Sequence, residues 1–480
     1  MAEPSLELGD IQGDVLIGLQ KHAECFVFFK IVDPSLFKRL VKLHMVRRIT
    51  SAWQANHWEQ LLAQRGRYGG SPGAFMGLNL GFTRDGLTQL LGTGRPRLDP
   101  SFERGADDPA TIDRLHDPPA AVWLKEFRSN RIDGVFLVTG PSEGLANFHR
   151  AEVLRLLGSS AKMIYSEMGK TRPGGQRGFE HFGYRDGISQ PGIRGLTRRT
   201  TSDPDQGFPG QDLIWPGEFV FGYPGQDPSD AVKPGRPPHM DPAWLRNGSY
   251  MAFRRLEQKV PEFRKFVTER AAKLGMESEL LGARMVGRWK SGAPLELAPL
   301  RDDWMLGGDP RRNNDFDYGD DPFQRRCPYA AHIRKAYPCD DAPGGEAEAQ
   351  THRIRRAGIT FGPEVMPGET TTRHSRGLMF VCYQTSIGRQ FEFIQWRRAN
   401  EPDFVNGKVR PVSGAPVRPG FDPIIGQAAS DGVREMDEPF PNYPGGNRRT
   451  TLEMPDPFVV LTAAAYFFMP SLTALRTVLT

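Results

Sequence analysis

Residues 25–32 read Cys-Phe-Val-Phe-Phe-Lys-Ile-Val, nearly continuously apolar and rich in β-branched and aromatic residues. Such a stretch is a central strand, and a chain that holds one must build a sheet around it. Residues 34–46 follow with helical spacing: Leu36, Leu40 and Leu43 recur, Phe37 and Val41 lie beside them, and Pro34 stands near the helix start. Strands are predicted over 77–82, 134–139 and 162–165, and helices over 86–91 and 146–157. With the short helix at 86–91 set aside, the order is strand, helix, strand, strand, helix, strand. That order matches a split βαβ, ferredoxin-like sheet with helices on one face.

At 480 residues the chain exceeds one ordinary core and suggests two or three units, of which two is the working number. The second half has a comparable mix without a sequence repeat: strands over 218–222, 249–254, 377–384 and 458–469, and helices over 261–274, 277–287 and 391–398. Apolar residues at 38% and charged residues at 25% are globular proportions, while 53 Gly and 41 Pro imply long ordered loops. Segment 172–211 reads as a connection rich in Gly, Arg and Asp. The stretches 301–323 and 401–449 are too long for passive links and are expected to wrap a site or an interface.

The formal charge is 62 minus 57, or +5, with scattered cations whose tight clusters are mostly pairs, so no nucleic-acid footprint is read. The mild excess suits an anionic ligand. Cys25, Cys327, Cys339 and Cys382 show no CxxC, no CxxCH and no zinc spacing, which excludes covalent c-type haem attachment. No basic region followed by an apolar run opens the chain, and 458–469 is too short an apolar run to span a bilayer, so no membrane partner and a cytoplasmic location are expected unless a leader was trimmed. Asn247-Gly-Ser is a glycosylation sequon that matters only in a secreted chain.

Three windows carry candidate chemistry. Gly178-Phe-Glu-His-Phe-Gly183-Tyr-Arg-Asp186-Gly187-Ile-Ser-Gln-Pro191 sets one carboxylate between glycines in a loop that aromatic residues would anchor. Asp186 there is either a reactive group against a bound ligand or a solvated turn residue. Cys327-Pro-Tyr-Ala-Ala-His332-Ile-Arg-Lys335 flanks a histidine with small residues, which leave room for a planar ligand, and with two cations. A neutral imidazole is the usual fifth ligand of haem iron, and Arg or Lys nearby would pair with the propionates; the other reading is a surface histidine at a basic helix start. Arg355-Arg356-Ala-Gly358-Ile-Thr-Phe-Gly362 puts an Arg before a Gly-rich turn, where it either projects into a cavity to stabilise an anion or forms a solvated face. After Arg376, the side chains of Leu378 and Phe380 point the same way by the strand period, as a pocket wall or as plain core.

Together these windows resemble the dye-decolorizing peroxidases, with Gly183-Tyr-Arg-Asp186-Gly187, Ala-Ala-His332-Ile-Arg-Lys and Arg356-Ala-Gly-Ile-Thr-Phe-Gly362 in that family's order and approximate spacing. Asp10-Ile-Gln-Gly-Asp14, Asn79-Leu-Gly-Phe-Thr83, Asn247-Gly-Ser-Tyr-Met-Ala-Phe253 and Asp422-Pro-Ile-Ile-Gly426 extend the likeness over nearly the whole chain, toward the family's larger members. The resemblance implies an α+β fold of two ferredoxin-like domains, 1–215 and 216–480. Each would be an antiparallel sheet with helices, and the second would hold one non-covalent haem b. It implies His332 as proximal iron ligand and Asp186 and Arg356 as the distal catalytic pair. Arg356, Arg376, Leu378 and Phe380 are counted with His332 as cofactor-binding.

The activity implied is reduction of hydrogen peroxide, through a ferryl intermediate, with one-electron oxidation of a bulky aromatic reductant such as a dye or phenol. The alternatives are a haem-handling protein without such turnover and a non-haem metal hydrolase, the latter opposed by the lack of HxH, HExxH or clustered carboxylates. An aspartate titrates near ~3.9, well below a histidine at ~6.5, so a distal aspartate suits acidic conditions. Trp396 and Tyr383 are candidate surface electron relays. Asp422 is either a turn former or the acceptor of the proximal imidazole N–H. Gly358 stands where some members carry a distal donor.

Overall fold

In the computed structural model, which describes residues 3–68, 75–128, 132–410, 413–429, 432–439 and 449–480, the apolar stretch at 25–32 forms most of strand β1 (Ala23–Ile31). Three strands follow it: β2 (Leu78–Phe82), β3 (Gly134–Gly140) and β4 (Ala161–Lys170). β1 pairs antiparallel with β3 on one side and β4 on the other, and β2 pairs with β3. The order β4-β1-β3-β2 makes the apolar strand central, as its composition demands.

Helix α1 (Pro34–Leu40) starts where the Asp33 carboxylate accepts the Leu36 N–H at 2.9 Å, and it runs on into a π-type turn, Val41–Met45. Helix α2 (Ala52–Tyr68) escapes the periodicity reading because its core contacts come from small residues: Ala52 and Ala55 are wholly buried among Gln, Asn, His and Glu positions. Helix α3 (Glu143–Leu157) is capped by Ser142, whose hydroxyl accepts the Leu145 N–H. Between sheet and helices, the Phe29 ring lies 5.5 Å from Phe37 of α1 and 5.0 Å from Phe136 of β3, and Phe37 lies 6.2 Å from Phe82. Each buried ring of this kind stabilises the layer by about 1.5–3 kcal/mol.

The second half repeats the arrangement with β5 (Ser249–Gln258), the short pieces β6 (Arg355–Arg356) and β7 (Ile359–Phe361), β8 (Gly377–Gln384) and β9 (Val459–Met469). Their order is β7-β8-β5-β9, so in each half the first strand lies between the third and the fourth. Both sheets then join at two narrow seams, Phe361 opposite Gly169 and Phe468 opposite Phe82, and close into one antiparallel barrel. Phe26 and Phe28 of β1 meet Phe253 of β5 inside it, at 5.4 and 5.0 Å. Helices α4 (Val260–Leu274) and α5 (Ser278–Val286) lie where the apolar period puts them.

Two expectations change. Residues 218–222 are not a strand: Pro216 opens a 3-10 turn, and the N–H groups of Phe219 and Val220 bond back to the Pro216 carbonyl. The helix expected over 391–398 is wound as π-type turns, Gly388–Glu392 and Ile394–Ala399. The cysteines are all free, and among the described residues no helix is long and apolar enough to cross a membrane. Asn247 of the sequon is buried, its side chain bonded to Glu7, Asp10 and Tyr223.

Candidate active site

The Asp186 loop is a tight hairpin held from below by aromatic rings. The Asp186 N–H donates to Gly178 O at 3.0 Å and the Glu180 N–H to Tyr184 O at 3.0 Å. Gly183 and Gly187 take φ of 103° and 79°, angles that disfavour any side chain. Phe182 and Tyr184 reach Phe263 of α4, with ring centroids 4.4 and 6.5 Å away. The half-buried Glu180 carboxylate accepts the N–H groups of Phe182 and Tyr184 at 2.9 and 2.8 Å and a bond from the Gln258 amide. His181 ties the loop to β7, its Nε2 lying 2.9 Å from Phe361 O. Burial, with the Arg172 charge, pushes the His181 imidazole down to about 4.

Arg356 comes from β6, which pairs with β8 at Arg356 opposite Cys382. Gln190 clamps it to the Asp186 loop: the Gln190 amide donates to Arg356 O at 2.8 Å and its oxygen accepts the Arg356 N–H at 3.3 Å. The guanidinium stands 3.4 Å from Asp186 Oδ1 and 3.5 Å from Ser189 O, while Asp186 Oδ1 accepts the Gly187 N–H at 2.6 Å. Both Arg356 contacts are long for charge-assisted bonds, so each group retains capacity for a third party. Gly358, which lines the cavity described below, cannot carry a side-chain donor in this backbone, because a Cβ there would lie 2.7 Å from Met379 O.

His332 opens the short helix α6 (His332–Ala336). Its Nδ1 lies 2.8 Å from Asp422 Oδ2, and the other carboxylate oxygen accepts the N–H groups of Ile424 and Ile425 at 2.8 and 3.0 Å. Asp422 is therefore turn former and imidazole acceptor at once. Burial works against the imidazolium, but Asp422 outweighs it and holds the His332 pKa above its ordinary value; Asp422, though buried, is held below the usual carboxylate range by His332 and the two N–H groups. With Nδ1 taken, Nε2 has no protein partner among the described residues.

Asp186, Arg356 and His332 line one cavity of about 410 Å³. Its floor is the outer face of the second sheet, where the two-residue period brings Leu256, Leu378, Phe380 and Leu461 together. That size falls within the range of roughly 300–1,000 Å³ usual for small-molecule and cofactor sites.

The profile of the DyP dimeric alpha+beta barrel domain matches residues 10–173, and that of the Dyp-type peroxidase C-terminal region matches 226–416. The dye-decolorizing peroxidase msp1 of Mycetinis scorodonius is 38% identical, over 99% of this chain and 88% of its own length. The chain belongs to the dye-decolorizing peroxidase family. A variant of the Pleurotus ostreatus dye-decolorizing peroxidase superposes with TM-score 0.86 at 37% identity, covering 99% of this chain and 100% of that one. A dye-decolorizing peroxidase in complex with 2,6-dimethoxyphenol does so with TM-score 0.81 at 36% identity, covering 99% of each.

Membership in the dye-decolorizing peroxidases implies a haem cofactor, and the residues fit one: an imidazole with a free nitrogen, an apolar floor and cationic groups share the cavity. Not every residue expected there takes part. The Arg376 guanidinium is bound by Glu369 at 2.9 Å through both terminal nitrogens and by Pro363 O, wholly buried and away from the cavity. The cations beside His332 are committed as well: Arg334 to Asp341 and the Cys327 carbonyl, Lys335 to the Glu401 carbonyl. Ala330 and Ala331 are fully buried and do not line the cavity; Ala336 does. Tyr383 is no surface relay, since it is buried with its hydroxyl on Asp14 at 2.6 Å. Trp396 is 36% exposed between Arg114 and Arg397. Segment 401–449, outside 411–412, 430–431 and 440–448 which are not described, sends Asp422 to His332 and Ile424, Ile425 and Gln427 to the cavity wall. Gln190 was quoted in the loop motif, but only the pairing of loop to β6 reveals its clamp.

Proposed function

We propose that this chain is a haem peroxidase that reduces hydrogen peroxide and oxidises aromatic donors one electron at a time. One non-covalent haem b would be held by His332, with Asp186 and Arg356 acting on peroxide. The observation that carries the reading is the convergence of three side chains, from the connecting loop, β6 and α6, on one cavity.

When bound, the haem supplies a redox-active iron and a conjugated ring that store the two oxidising equivalents of peroxide. His332 would offer Nε2 to the iron, and Asp422, by accepting the Nδ1–H hydrogen bond, would make that nitrogen a stronger donor. Asp186 takes a proton from hydrogen peroxide at a carboxylate oxygen and returns it to the oxygen that leaves as water. Arg356 stabilises the hydroperoxide anion and the charge that separates as the O–O bond breaks. Leu378 and Phe380 keep water from the floor. Overall, one hydrogen peroxide, two electrons and two protons give two waters, and two donor molecules each lose one electron. A relative's complex with 2,6-dimethoxyphenol supports a phenolic donor here.

The test is the absorbance of the purified, haem-loaded protein before and after one equivalent of peroxide, with steady-state dye oxidation beside it. A Soret band that shifts with peroxide and recovers with donor is expected. A band indifferent to peroxide would indicate haem handling, and no band at all would remove the reading.

A further inference from the structure

Arg353 is a buried cation of the cavity with no acceptor among the described residues. It is 8% exposed and lines the cavity, yet its guanidinium makes no hydrogen bond or ion pair among the described residues, and its Nε is a buried donor left empty. Its one close partner is the Tyr337 ring, 3.8 Å from the guanidinium carbon. Of the other arginines of the cavity, Arg185 likewise has no side-chain acceptor among the described residues but is only half-buried, over the Phe179 ring, and three are engaged. Arg254 is paired with Asp117, Arg356 faces Asp186, and Arg288 donates to Ser189, Asn314 and two backbone carbonyls. Leaving a buried N–H donor such as the Arg353 Nε unmatched costs the desolvation of that group. Arg353 thus stands ready for an acceptor that none of the described residues provides.

The class of that acceptor follows from its surroundings. A planar, fixed fork matches a carboxylate through two parallel bonds. Tyr337, stacked under the fork, lies five residues after His332, so Arg353 sits beside the helix that presents the imidazole. Asp212, which lines the same cavity, is already engaged by the Tyr337 hydroxyl at 2.6 Å. Glu346 beyond it is pushed up to about 7 by burial and by the charges of Asp212 and Asp317, which reduces its competition for the site. The sheet floor is apolar, so an amphiphilic disc laid on it must turn its charged edge toward a cation on the rim.

Resting on the haem reading above, we propose that Arg353 binds a propionate carboxylate of the haem and so fixes the rotation of the ring over the Leu256, Leu378, Phe380 and Leu461 floor. Arg353 takes the part that Arg376, Arg334 and Lys335 do not play, because each of those is satisfied within the protein.

The test is a cycle on the full-length apo-chain, titrated with haem and with haem dimethyl ester, whose propionates are uncharged. Wild type should prefer haem, and Arg353→Met should lower that preference by roughly ten- to hundredfold, the weight of a charge-assisted hydrogen bond read as affinity. Arg353→Lys should retain an intermediate preference. Haem loss from the holoprotein to a scavenger globin should quicken in the same order. Should Arg353→Met fail to fold, Arg353→Gln enters the same cycle. An unchanged haem-to-ester ratio in the neutral variant overturns the assignment while leaving the peroxidase reading intact; a wild-type chain that binds neither porphyrin overturns both.

Discussion

The two halves share a strand order and differ in what covers them. In the first, four phenylalanines from α1, β1, β2 and β3 fill the space between sheet and helices. In the second, the corresponding outer face carries Leu256, Leu378, Phe380 and Leu461 as the floor of an open cavity that the Asp186 loop, α6 and the chain after residue 421 also line. The same topology therefore serves once as solid core and once as a receptacle. What separates them is the outer layer: regular helices bring apolar rings to the first sheet, whereas a loop and a five-residue helix bring a carboxylate and an imidazole to the second, whose edge strand β6 adds the guanidinium.

The contrast can be broken most directly at Asp186. Asp186→Asn should keep the haem spectrum and lower peroxide turnover by about a hundred- to ten-thousandfold; stopped-flow absorbance after mixing with peroxide checks this, and an undiminished rate would return Asp186 to the status of a turn residue. On the filled side, Phe29→Ala should cost about 3–5 kcal/mol in denaturant unfolding while leaving the Soret position of the folded protein unchanged.

His181 links the two behaviours. Its Nδ1 is buried without a partner, and its folded pKa of about 4 lies below the free value of 6.5. The unfolded chain thus binds the proton more readily. The stability this supplies is fully present above pH 6.5 and is lost as pH falls toward 4, by roughly 3 kcal/mol. Urea midpoints across that window should show the decline in wild type and a flatter profile in His181→Gln. The smallest effect is expected at Asp422→Asn, which should weaken iron or haem retention by about ten- to a hundredfold, read by haem transfer to a scavenger, with the barrel's unfolding otherwise intact.

Much of this was legible because it is periodic or local. The alternation at 378–380 and the apolar run at 25–32 place their residues on known faces, and the glycines around Asp186 mark a backbone that only a tight loop uses. What was not legible depends on partners far along the chain. Arg376 reads like Arg356 in sequence, yet Glu369 captures one and the cavity receives the other. Two- and three-residue strands such as β6 and β7 carry no period, so the Gly-rich turn around Arg356 hid a sheet edge. Likewise, nothing in the local pattern of Arg353 distinguishes it from a solvated cation.

The seam at Phe361 and Gly169 has one more effect. Position 169 admits no side chain, since a Cβ would come within 2.4 Å of the Ile359 methyl and 3.1 Å of Thr360 O. The strip of backbone that zips the cylinder shut is thus continuous with the one that carries the Arg356 guanidinium, five residues before Phe361. If Arg356 acts as proposed, a methyl added at residue 169 should reach the cavity as a misalignment, which makes closing the cylinder and placing that guanidinium one constraint.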